Sequence, residues 1–229
     1  MPDKPDAGLN SDVWVIIPLY NEAQVVGGVI KEVRAVFSNV ACVDDGSSDD
    51  SAVIADAAGA TVIKHPINMG QGAALQTGFD WALRRGARYV VTFDSDGQHR
   101  VEDAQAMVQK AREENLSIVF GSRFLDNRTN PGFLKKIVLG LAVVFTRWTT
   151  GLKLTDAHNG LRVIRYDALR KVDIKQDRMA HASEIVNQLA ATKLPWSEYP
   201  VHIIYTEYSK AKGQSLWNSV NILIDLLVN

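Results

Sequence analysis

Apolar and β-branched runs recur through the first half of the chain, at residues 13–17, 40–43, 61–64, 89–93 and 117–120. Short continuous runs of this kind suit strands covered on both faces. The intervening segments have helical periodicity. Apolar residues at 26, 29, 30, 33, 36 and 37, for example, line one side of a helix predicted over 23–37. Strand and helix alternating at this spacing dictate a parallel sheet with right-handed crossovers, an α/β fold with helices on both faces.

In such a sheet, ligands bind at the carboxyl ends of the strands. The fourth run, Val90-Val91-Thr92-Phe93, delivers Asp94-Ser95-Asp96-Gly97-Gln98-His99 to that edge. Two aspartates at i and i+2 offer hard oxygen ligands of the kind that hold Mg²⁺ or Mn²⁺ on a diphosphate. Taken alone, the stretch is equally an ordinary turn. The first and second strands, however, also end in acid, at Glu22 and at Asp44-Asp45. Three acidic strand ends on one edge repel one another unless a cation or sugar hydroxyls lie among them. They point to a nucleoside-diphosphate site with a divalent metal. Competing sites fare badly: there is no P-loop sequence and no Gly-x-Ser-x-Gly elbow. Gly70-Gln71-Gly72 has Leu75 where a dinucleotide fold needs its third glycine, so helix entry with close packing is the preferred role.

The 229 residues suit one domain over 13–229, preceded by a polar lead-in at 1–12 read as disordered. Cys42 stands alone in an apolar run, as a buried thiol in a reducing compartment would. No secretory leader is recognisable, and the longest apolar run, 137–145, is about half a bilayer crossing. A cytoplasmic protein is therefore expected. Net charge is −1, which advertises no nucleic-acid partner. Yet residues 1–122 carry 10 basic and 17 acidic side chains, whereas 123–178 carry 12 and 5. This basic block, with amphipathic helices predicted at 133–150 and 216–228, suits an anionic membrane surface. A solvated face or a core helix shows similar stripes. Between them lie a polar turn at 155–160, a strand at 161–164, a helix at 181–192 and a strand at 199–205. Asp156 is a general-base candidate or an Asx turn, and both readings stand. His158 and His181 read as structural.

Pro18-Leu19-Tyr20-Asn21-Glu22, Val43-Asp44-Asp45-Gly46-Ser47, Asp94 to His99 and Gly121-Ser122-Arg123 form an ordered series that resembles family 2 glycosyltransferases. The D-x-D-x-Q-H string is most similar to the polyprenyl-phosphate sugar transferases of the dolichol-phosphate mannosyltransferase type. The resemblance implies a GT-A fold, with a Rossmann-like, mostly parallel sheet divided into a donor half (13–123) and an acceptor half (124–229). It implies a UDP- or GDP-sugar donor and Mg²⁺ or Mn²⁺. Pro18, Tyr20, Glu22, Val43 and Asp45 would hold base and ribose. Asp94, Ser95, Asp96 and Gln98 would hold metal and diphosphate, with Asp94, Asp96 and Gln98 as the metal ligands. Arg123 would reach the donor phosphates, and Asp96 and Asp156 would be the catalytic carboxylates. The family's R-x-x-G-x-S-K loop is answered by Lys210-Ala211-Lys212-Gly213-Gln214-Ser215-Leu216, which departs at both ends. The acceptor would be a polyprenyl phosphate or, alternatively, a saccharide hydroxyl on a glycolipid. A non-catalytic nucleotide-sugar binder and a nucleotidyltransferase fit the motifs less well, and a homo-oligomer is compatible with the sequence.

Overall fold

The computed structural model describes residues 10–126, 152–156, 159–176 and 180–204. Seven strands form one sheet: β1 (Val13–Leu19), β2 (Asn39–Asp44), β3 (Thr61–Lys64), β4 (Tyr89–Thr92), β5 (Ile118–Ser122), β6 (Arg162–Arg165) and β7 (Trp196–Pro200). Their order is β3-β2-β1-β4-β6-β5-β7. All pairings are parallel except those of β6, which runs antiparallel to both β4 and β5. The predicted α/β class and the mostly parallel sheet are both present.

Strand periodicity divides the core. Val13, Val15, Ile17 and Leu19 point to one face, where α1 (Val26–Arg34) and α4 (Val101–Glu113) pack. Ile16, Val90 and Ile164 point to the other, against α3 (Gln71–Arg84) and a helix at His181–Ala191. Successive Cβ atoms alternate across a strand, so one apolar run serves both layers. Two short helices complete the described elements: α2 (Ser51–Ala57) beside α1, and α5 (Tyr166–Leu169) after β6. The helix at His181–Ala191 is α6.

Several boundaries differ from the sequence pattern. The helix expected over 23–37 is regular only over α1, because Glu22 O accepts from both Val25 N and Val26 N in a preceding turn. The last strand is Trp196–Pro200 rather than 199–205; residues 201–204 are irregular. The helices predicted at 133–150 and 216–228, the loop from Lys210 to Leu216, and His158 lie outside the described residues. No described helix is long and apolar enough to cross a membrane. Cys42 is fully buried, and burial followed by the charge of Asp44 pushes its thiol up to about 12.

Helix α3 approaches β1 through Gly78, where an added Cβ would run into the buried Ile16 side chain. Overpacking costs about 1–3 kcal/mol, against a helix-propensity gain of about 1 kcal/mol for Gly→Ala. Gly78→Ala is therefore expected to lower stability in denaturant unfolding; a neutral result would mean that α3 shifts freely on the sheet.

Candidate active site

The loops after β1 and β2 are stitched together by the polar residues that the sequence places there. Asn21, at φ 53°, accepts from Ser48 N (2.9 Å), and its own N–H donates to Ser47 Oγ (3.0 Å). Glu22 N donates to Ser51 Oγ at 2.7 Å. Asp49 accepts from Ser51 N and, through its other oxygen, from Ala23 N. One carboxylate thus ties the first residue of α2 to the turn that precedes α1.

Asp45 follows β2 and is 3 % exposed. Its carboxylate accepts from Met69 N (2.9 Å), Gly70 N (2.7 Å) and His65 Nδ1 (2.8 Å). His65 Nε2 in turn meets Thr77 Oγ1 on α3 at 2.9 Å. Asp45 thereby fixes the 65–70 segment, in which Gly70 has a left-handed φ of 98°. Gly72 fills the close-packing role read from the sequence: a Cβ there would strike the carbonyl oxygen of Gln176.

Beyond β4, Asp94 Oδ2 accepts from His99 Nε2 at 2.9 Å, and the His99 ring stands edge-on to Phe93. Desolvation raises the Asp94 carboxyl, but the charge and bond of His99, with Arg162 and His181 behind it, bring it below the ordinary value. Asp96 moves the other way. Burial and then the charge of Asp94 push its carboxyl up, with a smaller push from Glu22, although Gln98 N donates to it at 3.0 Å.

These groups surround one cavity of about 540 Å³. Pro18, Tyr20, Glu22, Asp45, Asp94, Ser95 and Asp96 all line it, as do Gly160, Arg162 and His181. The first residues of α3 and α6 also border it, so two helix amino ends face the space. Helix amino ends favour anions. The cavity lies between the ends of β1 and β4, where the crossovers change direction.

Arg123, Asp156 and Glu198 form a second cluster. Asp156 is 2 % exposed and takes Arg123 Nε (2.6 Å) and Nη2 (2.8 Å) on its two oxygens, with Arg123 N at 3.1 Å. Its turn is held by Glu198 on β7, whose Oε1 accepts from Thr155 N (2.8 Å), Thr155 Oγ1 (3.0 Å) and Asp156 N (3.3 Å). Burial pushes the Glu198 carboxyl up against the pull of these bonds. Arg162 is buried, and its Nε and Nη2 have no hydrogen-bond partner among the described residues. Desolvation depresses its guanidinium to about 10, although Asp94 and Asp156 both favour the charged form.

Thus the expected donor-side residues converge on the cavity, except that Val43, Gln98 and Arg123 are not among its lining groups; neither is Asp156. The sequence reading missed Arg162, Glu198 and His65. An arginine inside the apolar run 161–164 was a usable signal for the first. His65 closes β3 at the same edge as the acidic strand ends. Nothing local marks Glu198.

Comparison with known proteins gives this arrangement a lineage. The family model described as Glycosyl transferase family 2 matches residues 14–173. The chain belongs to this glycosyltransferase family. Among its relatives is the UDP-N-acetylglucosamine–dolichyl-phosphate N-acetylglucosaminyltransferase of Methanococcus voltae, 31 % identical over 94 % of this chain and 95 % of that one. The polyprenol monophosphomannose synthase of Mycolicibacterium smegmatis is 30 % identical over 88 % of this chain and 82 % of the other. In fold, the glycosyltransferase is similar to glucosyl-3-phosphoglycerate synthase from Mycobacterium tuberculosis. That likeness has a TM-score of 0.69 at 18 % identity and covers 94 % and 79 % of the two chains.

The residues present fit a divalent cation. Asp94 and Asp96 supply hard oxygens, and the raised Asp96 carboxyl records a repulsion that a cation would relieve. No cluster of three His, Cys, Asp or Glu side chains able to hold a metal is found among the described residues. Two carboxylates with the remaining positions left to diphosphate and water is a Mg²⁺-like arrangement. Because the folded chain binds the Asp96 proton more tightly than the unfolded chain, ionised Asp96 opposes folding above its raised pKa. Asp96→Asn is therefore expected to be more stable than wild type at pH 7 without metal. The advantage should fade as pH falls toward about 4, the ordinary carboxylate range. Urea unfolding at both pH values, with and without Mg²⁺, measures it.

Proposed function

We propose that this glycosyltransferase moves a sugar from a nucleoside-diphosphate donor to a polyprenyl phosphate, with inversion, at the cytoplasmic face of a membrane. The observation that carries the reading is the convergence of Glu22, Asp45, Asp94 and Asp96 on one cavity that two helix amino ends also face. Relatives named for dolichyl-phosphate and polyprenol products, similar over most of their length, support the acceptor class.

In this reading the base and ribose lie along Pro18, Tyr20, Glu22, Val43 and Asp45. Tyr20 and Met69, each 46 % exposed, offer apolar surface to a base. The diphosphate sits toward Asp94, Ser95, Asp96 and Gln98, under the amino ends of α3 and α6. Arg123 and Lys210 supply cationic contacts to its oxygens. Asp94, Asp96 and Gln98 would hold Mg²⁺ or Mn²⁺, which would neutralise charge on the leaving diphosphate; the similar synthase was crystallised with Mn²⁺ and UDP-glucose. The acceptor attacks the anomeric carbon from the face opposite the leaving group.

A phosphate monoester is already ionised at neutral pH, its second pKa being about 6, so no general base is needed. Both oxygens of Asp156 are engaged by Arg123, which supports this acceptor over a saccharide hydroxyl. The basic block and the amphipathic helices predicted at 133–150 and 216–228 favour peripheral membrane contact.

The direct test incubates a panel of radiolabelled UDP- and GDP-sugars with vesicles carrying polyprenyl phosphate and extracts the lipid-linked product. Asp96→Ala and EDTA should each lower transfer more than about 100-fold, the scale of several kcal/mol. Full activity in EDTA removes the metal from the reading. Asp156→Asn should stay within about tenfold of wild type. A loss of about 10²–10⁴ would instead mark Asp156 as a base serving a hydroxyl.

A further inference from the structure

We propose that Arg162 binds the phosphate of the acceptor, as the floor of a second anion subsite within the same cavity. The inference rests on the cavity being a nucleoside-diphosphate site and on the acceptor being a phosphate monoester. Arg162 is 3 % exposed, yet it lines the cavity. Its Nε and Nη2 form one edge of the guanidinium, and neither has a hydrogen-bond partner among the described residues. The charges of Asp94 and Asp156 act on the group without supplying those bonds. Buried polar groups are paired in nearly every folded protein, so this edge is built for something that enters the cavity. Two parallel N–H groups match two oxygens of a phosphate. A neutral hydroxyl acceptor would meet neither the charge nor both donors.

Its place in the sheet separates this edge from the donor. Because β6 is antiparallel, its first residue, Arg162, lies beside Thr92 at the edge where β1, β2 and β4 end. Arg162 N donates to Thr92 Oγ1 at 3.1 Å, which fixes the backbone there. The strand order β2-β1-β4-β6 then sets out Asp45, Glu22, the Asp94–Asp96 loop and Arg162 in turn along that edge. With base and ribose at the first two and the diphosphate at the third, Arg162 stands on the far side of the diphosphate. An acceptor that inverts the anomeric centre must approach from that far side. Ile164, two residues on, packs in the layer shared with α3 and α6, so Arg162 faces the same layer. Gln71 and His181, the first residues of those helices, border the cavity and add the partial positive charge of their amino ends.

The test titrates the full chain by calorimetry with citronellyl phosphate, a short polyprenyl-type phosphate, and separately with UDP and GDP in Mg²⁺. Arg162→Met should weaken citronellyl phosphate binding about tenfold or more, the scale of one charge-assisted hydrogen bond. Nucleotide affinity should stay within about threefold of wild type. Arg162→Lys keeps the charge without the fork, so its loss should be smaller. It also stands in for Arg162→Met if circular dichroism shows that variant unfolded. Citronellol, which has the tail without the phosphate, should bind wild type and variant alike. Unchanged citronellyl phosphate binding, or an equal loss for citronellol, overturns the proposal. So does an equal loss for the nucleotides, which assigns Arg162 to the donor side. Wild type that binds nucleotide but not citronellyl phosphate overturns the proposal together with the acceptor class. Wild type that binds neither overturns the cavity reading itself.

Discussion

The site depends on the insertion of β6, antiparallel, between β4 and β5. The Thr92 hydroxyl fastens this seam by receiving Arg162 N and donating to Gly160 O. Through it, a segment about 70 residues downstream of β4 is laid against the very strand that presents Asp94 and Asp96. Gly160 lies so close to Asp94 that a side chain there would collide with the carboxylate. Asp94 and Asp96 and the Asp156 cluster therefore have a common backbone support, and neither can be displaced without straining the central sheet.

Charge is distributed accordingly. Glu22, Asp45, Asp94 and Asp96 line one cavity, and the three aspartates are each answered differently. Asp45 is answered by backbone N–H groups and a histidine, Asp94 by His99 with Arg162 behind, and Asp96 by far less. The least compensated carboxylate is the one with most to gain from a cation. The amino ends of α3 and α6 and the buried Arg162 border the same cavity, so fixed positive potential stands among these carboxylates.

Much of this was legible in the residues. Strand runs at 13–17, 40–43 and 89–93 lie within a residue or two of the observed strands because buried parallel strands need uninterrupted apolar sequence, and the run at 61–64 matches the edge strand β3. The acidic strand ends were legible for the same reason: a carboxylate following such a run stands at the sheet edge by geometry alone. The position of β6 was not legible, since a strand of four residues carries no mark of its neighbours or direction. Asp156 was visible as a carboxylate in a turn, but its pairing with Arg123 spans 33 residues and depends on Glu198 from a third segment. Long-range polar partners of this kind leave no periodic trace.

Cys42 has a practical consequence. It is the sole cysteine, sealed inside β2 with a thiol that stays protonated over the working pH range. Maleimides and spin-label reagents react with exposed thiolate and will pass it by. The natural sequence is therefore already a silent background for site-directed labelling, and a single cysteine introduced on the exposed side of α6 would be the only group to carry a probe.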